Sequence, residues 1–338
     1  MSVSKIRVAA GVLHHSRGAT VLRRAPAWSG VLVLNYHRIG HATSSSLFRD
    51  TFSATPVDFD RQLAFLARNT DVIGGDDLPD VLRTGRGRHV LITFDDGYLD
   101  NYELAFPILK QHGLRATFFI CTGLLDGRGL AWWDEIAWMV RTSPRRELPA
   151  TSWIETPIPL GALGDDREPA IKAVIERYRA LPGEKTAAFL DHVAEATGTG
   201  RADASLARNL WMTWDHVREL RDGGMTIGAH TVTHPILSRL TAERQREEIA
   251  GSRARLAVEL GAAPRLFSYP VGKPHTFNAD TRAALKEAGF SHAFSFYGGH
   301  QPFAPLDPFD FRRTYVGWRT SLPVFQGKVT LPMVFARW

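Results

Sequence analysis

A single cysteine in 338 residues leaves nothing from which to build a disulfide framework, so the fold must be held by buried apolar surface. Cys121 lies in the apolar run Ala116-Thr117-Phe118-Phe119-Ile120-Cys121, where a buried, inert thiol is expected rather than a nucleophile. Also lacking is any apolar run long enough to cross a bilayer. The nearest approach, Ile6, Val8, Ala9, Ala10, Val12 and Leu13, is broken by Arg7 and Gly11. It is too short and interrupted for a secretory h-region, which directs the expectation to the cytoplasm. Acidic residues are missing before Asp50, whereas Lys5, Arg7, Arg17, Arg23, Arg24, Arg38 and Arg49 all fall in that stretch. Two readings of this end stay open: a plain surface helix, the commoner outcome, or a basic amphipathic helix in peripheral contact with an anionic membrane. Downstream, basic residues are interleaved with acids, so the net charge of +6 describes a solvated surface and not a nucleic-acid-binding patch. Internal repeats and low-complexity segments are absent too, which argues against a solenoid.

What is present centres on His89-Val90-Leu91-Ile92-Thr93-Phe94-Asp95-Asp96-Gly97. Val90, Leu91, Ile92 and Phe94 predict a short buried strand, and the glycine permits a sharp exit from it. Two adjacent carboxylates at the end of a buried strand repel each other unless a cation lies between them or one is held for proton transfer. Residues 31 to 36, Val-Leu-Val-Leu-Asn-Tyr, predict an earlier strand that ends at His37, and residues 115 to 121 a later one. Between the carboxylates and that later strand, Pro107 suits a first helical turn and Gly113 a terminator. Strand, helix and strand make the βαβ unit of a parallel sheet, whose chemistry collects at the strand carboxyl ends.

From Thr122 to about Arg208 the pattern turns mainly helical, with Trp132-Trp133 opening one helix and further helices over Pro169 to Ala180 and Glu184 to Ala196. The tryptophans would suit sugar stacking, but core packing is the stronger expectation. Alternation then resumes. Thr213 caps a helix through Leu220, Met225 to Ala229 forms a strand delivering His230, Thr241 caps Ala242 to Leu260, and Leu266 to Tyr269 forms another strand.

His230-Thr231-Val232-Thr233-His234 sets two imidazoles four residues apart, close enough to face one point. Spacing alone is weak evidence, since thirteen histidines give roughly half such a pair by chance and His37 with His41 is a second. Position strengthens it, because His230 also follows a strand. One carboxylate and two neutral imidazoles make a three-ligand site for a catalytic divalent metal such as zinc, leaving the second carboxylate to take a proton from water. The expected chemistry is metal-assisted hydrolysis of an amide or ester.

Thr93-Phe94-Asp95-Asp96-Gly97, His230-Thr231-Val232-Thr233-His234 and Phe267-Ser268-Tyr269-Pro270-Val271-Gly272, in this order, resemble the first three motifs of the NodB-type polysaccharide deacetylases, carbohydrate esterase family 4. The resemblance implies an α/β fold, a deformed (β/α) barrel of the NodB type, here with a mainly helical insertion. Its expected boundaries are a basic segment 1–29, barrel segments 30–125 and 210–318, the insertion 126–209 and a tail 319–338. It further implies removal of N- or O-acetyl groups from a glycan, with Asp95 as base, Asp96, His230 and His234 as metal ligands, and Tyr269, Pro270, Val271, Gly272 and His37 around the substrate or oxyanion. Two departures stand out. Ser268 and Val271 replace the arginine and aromatic of the third motif, so the arginine expected to steady Asp95 is unmatched. The late leucine-x-histidine motif has no counterpart, with Phe311-Arg312-Arg313 in about its place and His37, His275 and His300 all candidates to assist. Hydrolysis of a small non-sugar amide at the same site, or glycan binding without activity, are the competing expectations.

Overall fold

Alternation within the strands decides the architecture. The computed structural model describes residues 28–127, 129–304 and 306–336, so nearly all of the basic N-terminal segment, with its expected membrane contact, lies outside the described residues. Eight parallel strands follow: β1 (Gly30–Tyr36), β2 (Asp71–Ile73), β3 (Arg88–Phe94), β4 (Thr117–Ile120), β5 (Thr226–Ala229), β6 (Leu266–Ser268), β7 (His292–Ser295) and β8 (Phe311–Tyr315). Seven of them close a ring in the order β1-β8-β7-β6-β5-β4-β3 and back to β1. The eighth, β2, pairs with the amino half of β3 from His89 to Leu91, below the point where Thr93 and Phe94 pair with β4. This is a deformed (β/α) barrel, as the motifs imply.

In β1, β4, β5 and β6 every residue is buried, and most of these strands read as continuous apolar runs because both their faces are covered. Val31, Val33, Leu91, Phe119, Leu266, Phe294 and Phe311 form one cluster, the filled barrel interior. Their neighbours Leu32, Leu34, Tyr36, Val90, Ile92, Phe94, Phe118 and Ile120 belong to a second cluster that meets the helices outside. Helix α1 (Pro56–Asn69) shows how the shell is made. Thr55 accepts from the Asp58 N–H and Pro56 opens the first turn. Phe59, Leu63 and Leu66 recur at helical spacing on the buried face, and Phe59 packs edge-on against Tyr36 and Phe94. Each such side chain contributes roughly 2 kcal/mol by leaving water.

Between β4 and β5 the chain runs through α2 (Trp132–Thr142), α3 (Glu168–Ala180) and α4 (Thr186–Thr197), with a small antiparallel pairing of Glu147–Leu148 and Ile158–Pro159. Their apolar faces join the same cluster as the barrel shell, so these helices pack on the barrel as part of one core. Helices α5 (Trp214–Asp222), capped by Thr213, and α6 (Ala242–Leu260), capped by Thr241, flank β5. All ring strands being parallel, Asp95, Asp96, His37 and His230 emerge at one rim. Among the described residues no helix is long and apolar enough to cross a membrane.

Candidate active site

Period two carries the interior polarity upward. Continuing the inward-facing positions of β1, β3, β6 and β8 beyond their apolar layer gives Asn35, Thr93 with Asp95, Ser268 and Arg313. These polar groups are all buried and bond one another. Asp95 accepts two hydrogen bonds from the Arg313 guanidinium, Nη1 to Oδ1 at 2.7 Å and Nη2 to Oδ2 at 2.8 Å. Asn35 Nδ2 donates to Oδ2 at 3.0 Å, and Ser268 Oγ stands 3.3 Å from the same oxygen while accepting from Arg313 Nη2 at 2.8 Å. The expectation that Asp95 lacks its arginine is therefore corrected. Serine at 268 is small, and the guanidinium of Arg313, two strands away on β8, bonds its hydroxyl and Asp95. Burial alone would raise the Asp95 pKa, but Arg313 above all, with His230 next, holds it well below the usual carboxylate range.

Asp96 lies in a different environment. Its Oδ1 is buried without a hydrogen-bond partner, 3.4 Å from His230 Nε2 and 3.5 Å from His234 Nε2. The three ligand atoms lie within 4.8 Å of one another. Ligands about 2.1 Å from a tetrahedral centre stand roughly 3.3 Å apart, so the spacing and the oxygen-nitrogen-nitrogen set fit a zinc-like divalent cation. The imidazoles are aimed by their surroundings. His230 Nδ1 lies 2.7 Å from the Ser268 carbonyl, so with that nitrogen donating, the Nε2 lone pair faces Asp96. His234 packs edge-on against Trp133 at 4.4 Å. Burial, then His230, pushes the His234 pKa down to about 3, which keeps this imidazole neutral as a ligand must be. For His230 burial is outweighed by Asp95 and Asp96, and its pKa is raised.

The loop between the histidines is clamped from α6. Glu248, on the buried face of a helix rich in charged residues, accepts from the Val232 N–H at 2.8 Å and the Thr233 N–H at 2.9 Å. Among the described residues, the non-glycine positions with positive φ are Asp96, Thr231, His234 and Val271. All four belong to loops of this site, and for β-branched Thr231 and Val271 the conformation is costly. Backbone strain is thus concentrated where the ligands and the third motif turn.

A cleft of about 430 Å³ opens above these groups, lined among others by His37, Asp95, Asp96, His230, His234, Val271 and Arg313. His37 Nε2 lies 3.9 Å from Asp95 Oδ2, its Nδ1 has no partner, and burial lowers its pKa. His275 and His300 are not in the cleft. His275 is exposed, and His300 packs edge-on against Trp28 beside the amino half of β1. Tyr269 does border the cleft, but its hydroxyl is engaged, donating to the Phe309 carbonyl at 2.9 Å, and its ring stacks on Phe277. In the same loop Tyr269 N–H and Gly272 N–H are bonded, Pro270 has none to offer, and the Val271 N–H has no acceptor among the described residues.

The helical segment between β4 and β5, where the sequence shows no catalytic cluster, supplies Trp132, Trp133 and Arg179 to the cleft wall. Trp132 and Trp133 are nearly buried, with Trp132 stacked on Tyr178 at 4.2 Å, so core packing is their main role and only their edges reach the cleft. Asp134 beside them ties α2 to the loop after β3, accepting from the Phe48 N–H at 2.9 Å and the Tyr98 hydroxyl at 2.8 Å. Burial pushes its pKa up to about 6. Because the folded pKa exceeds the unfolded one, the stability tied to neutral Asp134 is full below about pH 4 and is lost as pH rises through 6, on the order of 3 kcal/mol. Asp134→Asn is expected to flatten that part of the profile. Melting temperatures of parent and variant that run parallel from pH 4 to 7 would refute it.

Comparison with known proteins agrees with this geometry. Residues 83–143 and 182–293 match the sequence profile of the polysaccharide deacetylase domain. YxkH of Bacillus subtilis is 22% identical over 201 residues, 60% of this chain, and the match spans only 42% of that curated relative. The Streptococcus pyogenes deacetylase PplD, solved with acetate, superposes with a TM-score of 0.58 at 18% identity, covering 90% of this chain and 99% of that one. IcaB from Ammonifex degensii superposes at 0.52 with 20% identity, covering 90% and 96%. These structures share the fold.

Proposed function

Because the chain belongs to the polysaccharide deacetylase family, we propose that it is a metal-dependent hydrolase removing an acetyl group from an acetylated amino sugar of a polysaccharide or its precursor. One observation carries the division of labour between two neighbouring carboxylates. Both oxygens of Asp95 are taken up by Arg313, Asn35 and Ser268, whereas the inner oxygen of Asp96 is bare and faces two imidazoles.

Asp96, His230 and His234 would hold the divalent cation, zinc by its donor set. Bound there, such an ion lowers the pKa of water towards ~7 and polarises a carbonyl. Asp95, kept ionised by Arg313, accepts the proton of the attacking water. The Val271 N–H, which has no acceptor among the described residues and belongs to a residue lining the cleft, donates to the oxygen that gains charge as the acetyl carbon becomes tetrahedral. His37, with Nε2 3.9 Å from Asp95 Oδ2, relays the proton that Asp95 has taken from water to the leaving nitrogen, which returns both groups to their starting states. Arg313 and Asn35 fix the base throughout, so little reorganisation accompanies the step.

The test is acetate release from N-acetylated chito-oligosaccharides. Turnover is expected with added divalent cation, to stop with chelator, and to fall by about 10²–10⁴-fold in Asp95→Asn. Release from small linear or cyclic amides alone would change the substrate. Glycan binding without turnover under any divalent cation would sink the hydrolase reading.

A further inference from the structure

The cleft walls carry positive charge that acetyl hydrolysis does not use. Of the acids lining the cleft, Asp95 is paired with Arg313, Asp50 with Lys172 at 2.6 Å, and Asp96 faces the imidazoles. Of the bases, Arg313 is committed to Asp95, which leaves Arg179 and Lys273. Arg179 ends α3 with its Cζ 5.8 Å from the ring centre of Trp132, and that ring is 6.4 Å from His234. It reaches outward to Glu176, itself 61% exposed, through Nη1 at 2.7 Å, while its buried Nε has no acceptor. Lys273 follows the Val271-Gly272 turn, and its exposed ammonium enters no ion pair among the described residues. A guanidinium partly withdrawn from water, paired outward to Glu176 but with its inner Nε unsatisfied, and a lysine bordering the same cleft with no ion pair among the described residues, together call for an anionic acceptor.

We propose that Arg179 and Lys273 form an anion subsite, and that the substrate glycan carries a carboxylate or phosphate on the acetylated sugar or on a sugar next to it. The glycan rests on the deacetylase reading; the anion rests on the charge arrangement. Arg179 offers a planar fork suited to either oxyanion, and Lys273 adds a mobile point charge.

The deciding measurement is binding of acetylated trisaccharides to the Asp95→Asn protein loaded with zinc. Three forms are compared: neutral, with one uronic acid, and with one phosphate. At low salt the anionic forms are expected to bind about 10-fold tighter than the neutral one, the gap closing towards 1 M salt. The combined Arg179→Gln and Lys273→Gln variant is expected to bring that ratio near one, and Arg179→Lys alone to keep part of it. Whichever anionic form binds tighter identifies the group. Equal affinity of all three forms overturns the proposal, as does a double variant that weakens neutral and anionic forms alike. Acetate release by the parent protein is scored separately: if it is absent while the charge preference persists, the hydrolase reading fails and the anion subsite stands.

Discussion

Arg313→Met is expected to lower stability at neutral pH by about 3–5 kcal/mol, the cost of leaving one partner of a buried ion pair uncompensated, and to reduce acetate release by about 10²–10⁴-fold. Both losses have one origin. In the parent the guanidinium overrides the burial of Asp95 and keeps its pKa below the unfolded value. The stability linked to the ionised group is therefore present above the unfolded pKa and is lost only as pH falls through the lower folded one. Without Arg313, burial dominates and raises the folded pKa, so folding favours the protonated acid and the base is silent at neutral pH. The deficit should accordingly shrink as pH falls from the variant's raised folded pKa towards the unfolded value of about 4, and further below it as the parent loses its own gain. Asp95→Asn combined with Arg313→Met should recover most of the stability and none of the turnover. Chemical denaturation across pH reads all of this, and a deficit in Arg313→Met that does not change with pH would exclude the mechanism.

Zinc is expected to stabilise the metal-stripped parent by about 4 kcal/mol when present at a thousand times its dissociation constant, roughly a 6 °C rise in melting temperature for a chain of this size. Asp96→Ala and His234→Ala should abolish the rise, and Asp95→Asn should keep it. The reverse pattern, a rise lost in Asp95→Asn and kept in Asp96→Ala, would exchange the roles of the two carboxylates. This measurement needs no substrate, so it separates the cation site from the identity of the glycan.

Strand ends were the readable part of this chain. A buried apolar run that stops at a polar residue marks the rim of a parallel barrel, and this rule places His37, Asp95, Asp96 and His230 at one rim without knowledge of the ring order. The support of Asp95 was not readable in the same way. Its partner lies 218 residues away, and adjacent Arg312 and Arg313 look equivalent until the parity of β8 is anchored. Phe311 holds that anchor: once it is known to face the interior, Arg313 must face it too and Arg312 must not. Glu248 was hidden for another reason. It lies in a helix whose composition reads as a solvated face, and only the backbone N–H groups of a distant loop explain its burial. Arg179 belongs to the same class, since helical periodicity separates buried from exposed faces but does not say which exposed edge borders a cleft.

The bond between Arg313 and Asp95 also sets an order of events during folding. It joins the third strand to the eighth, so its loop can close only after most of the chain is in place. Until β8 docks against β1, Asp95 lacks the guanidinium that overrides its burial in the closed ring. The fixed carboxylate is thus a late product of ring closure, and a chain whose last strand has come loose would keep its candidate metal ligands and lose the partner that holds Asp95 in place.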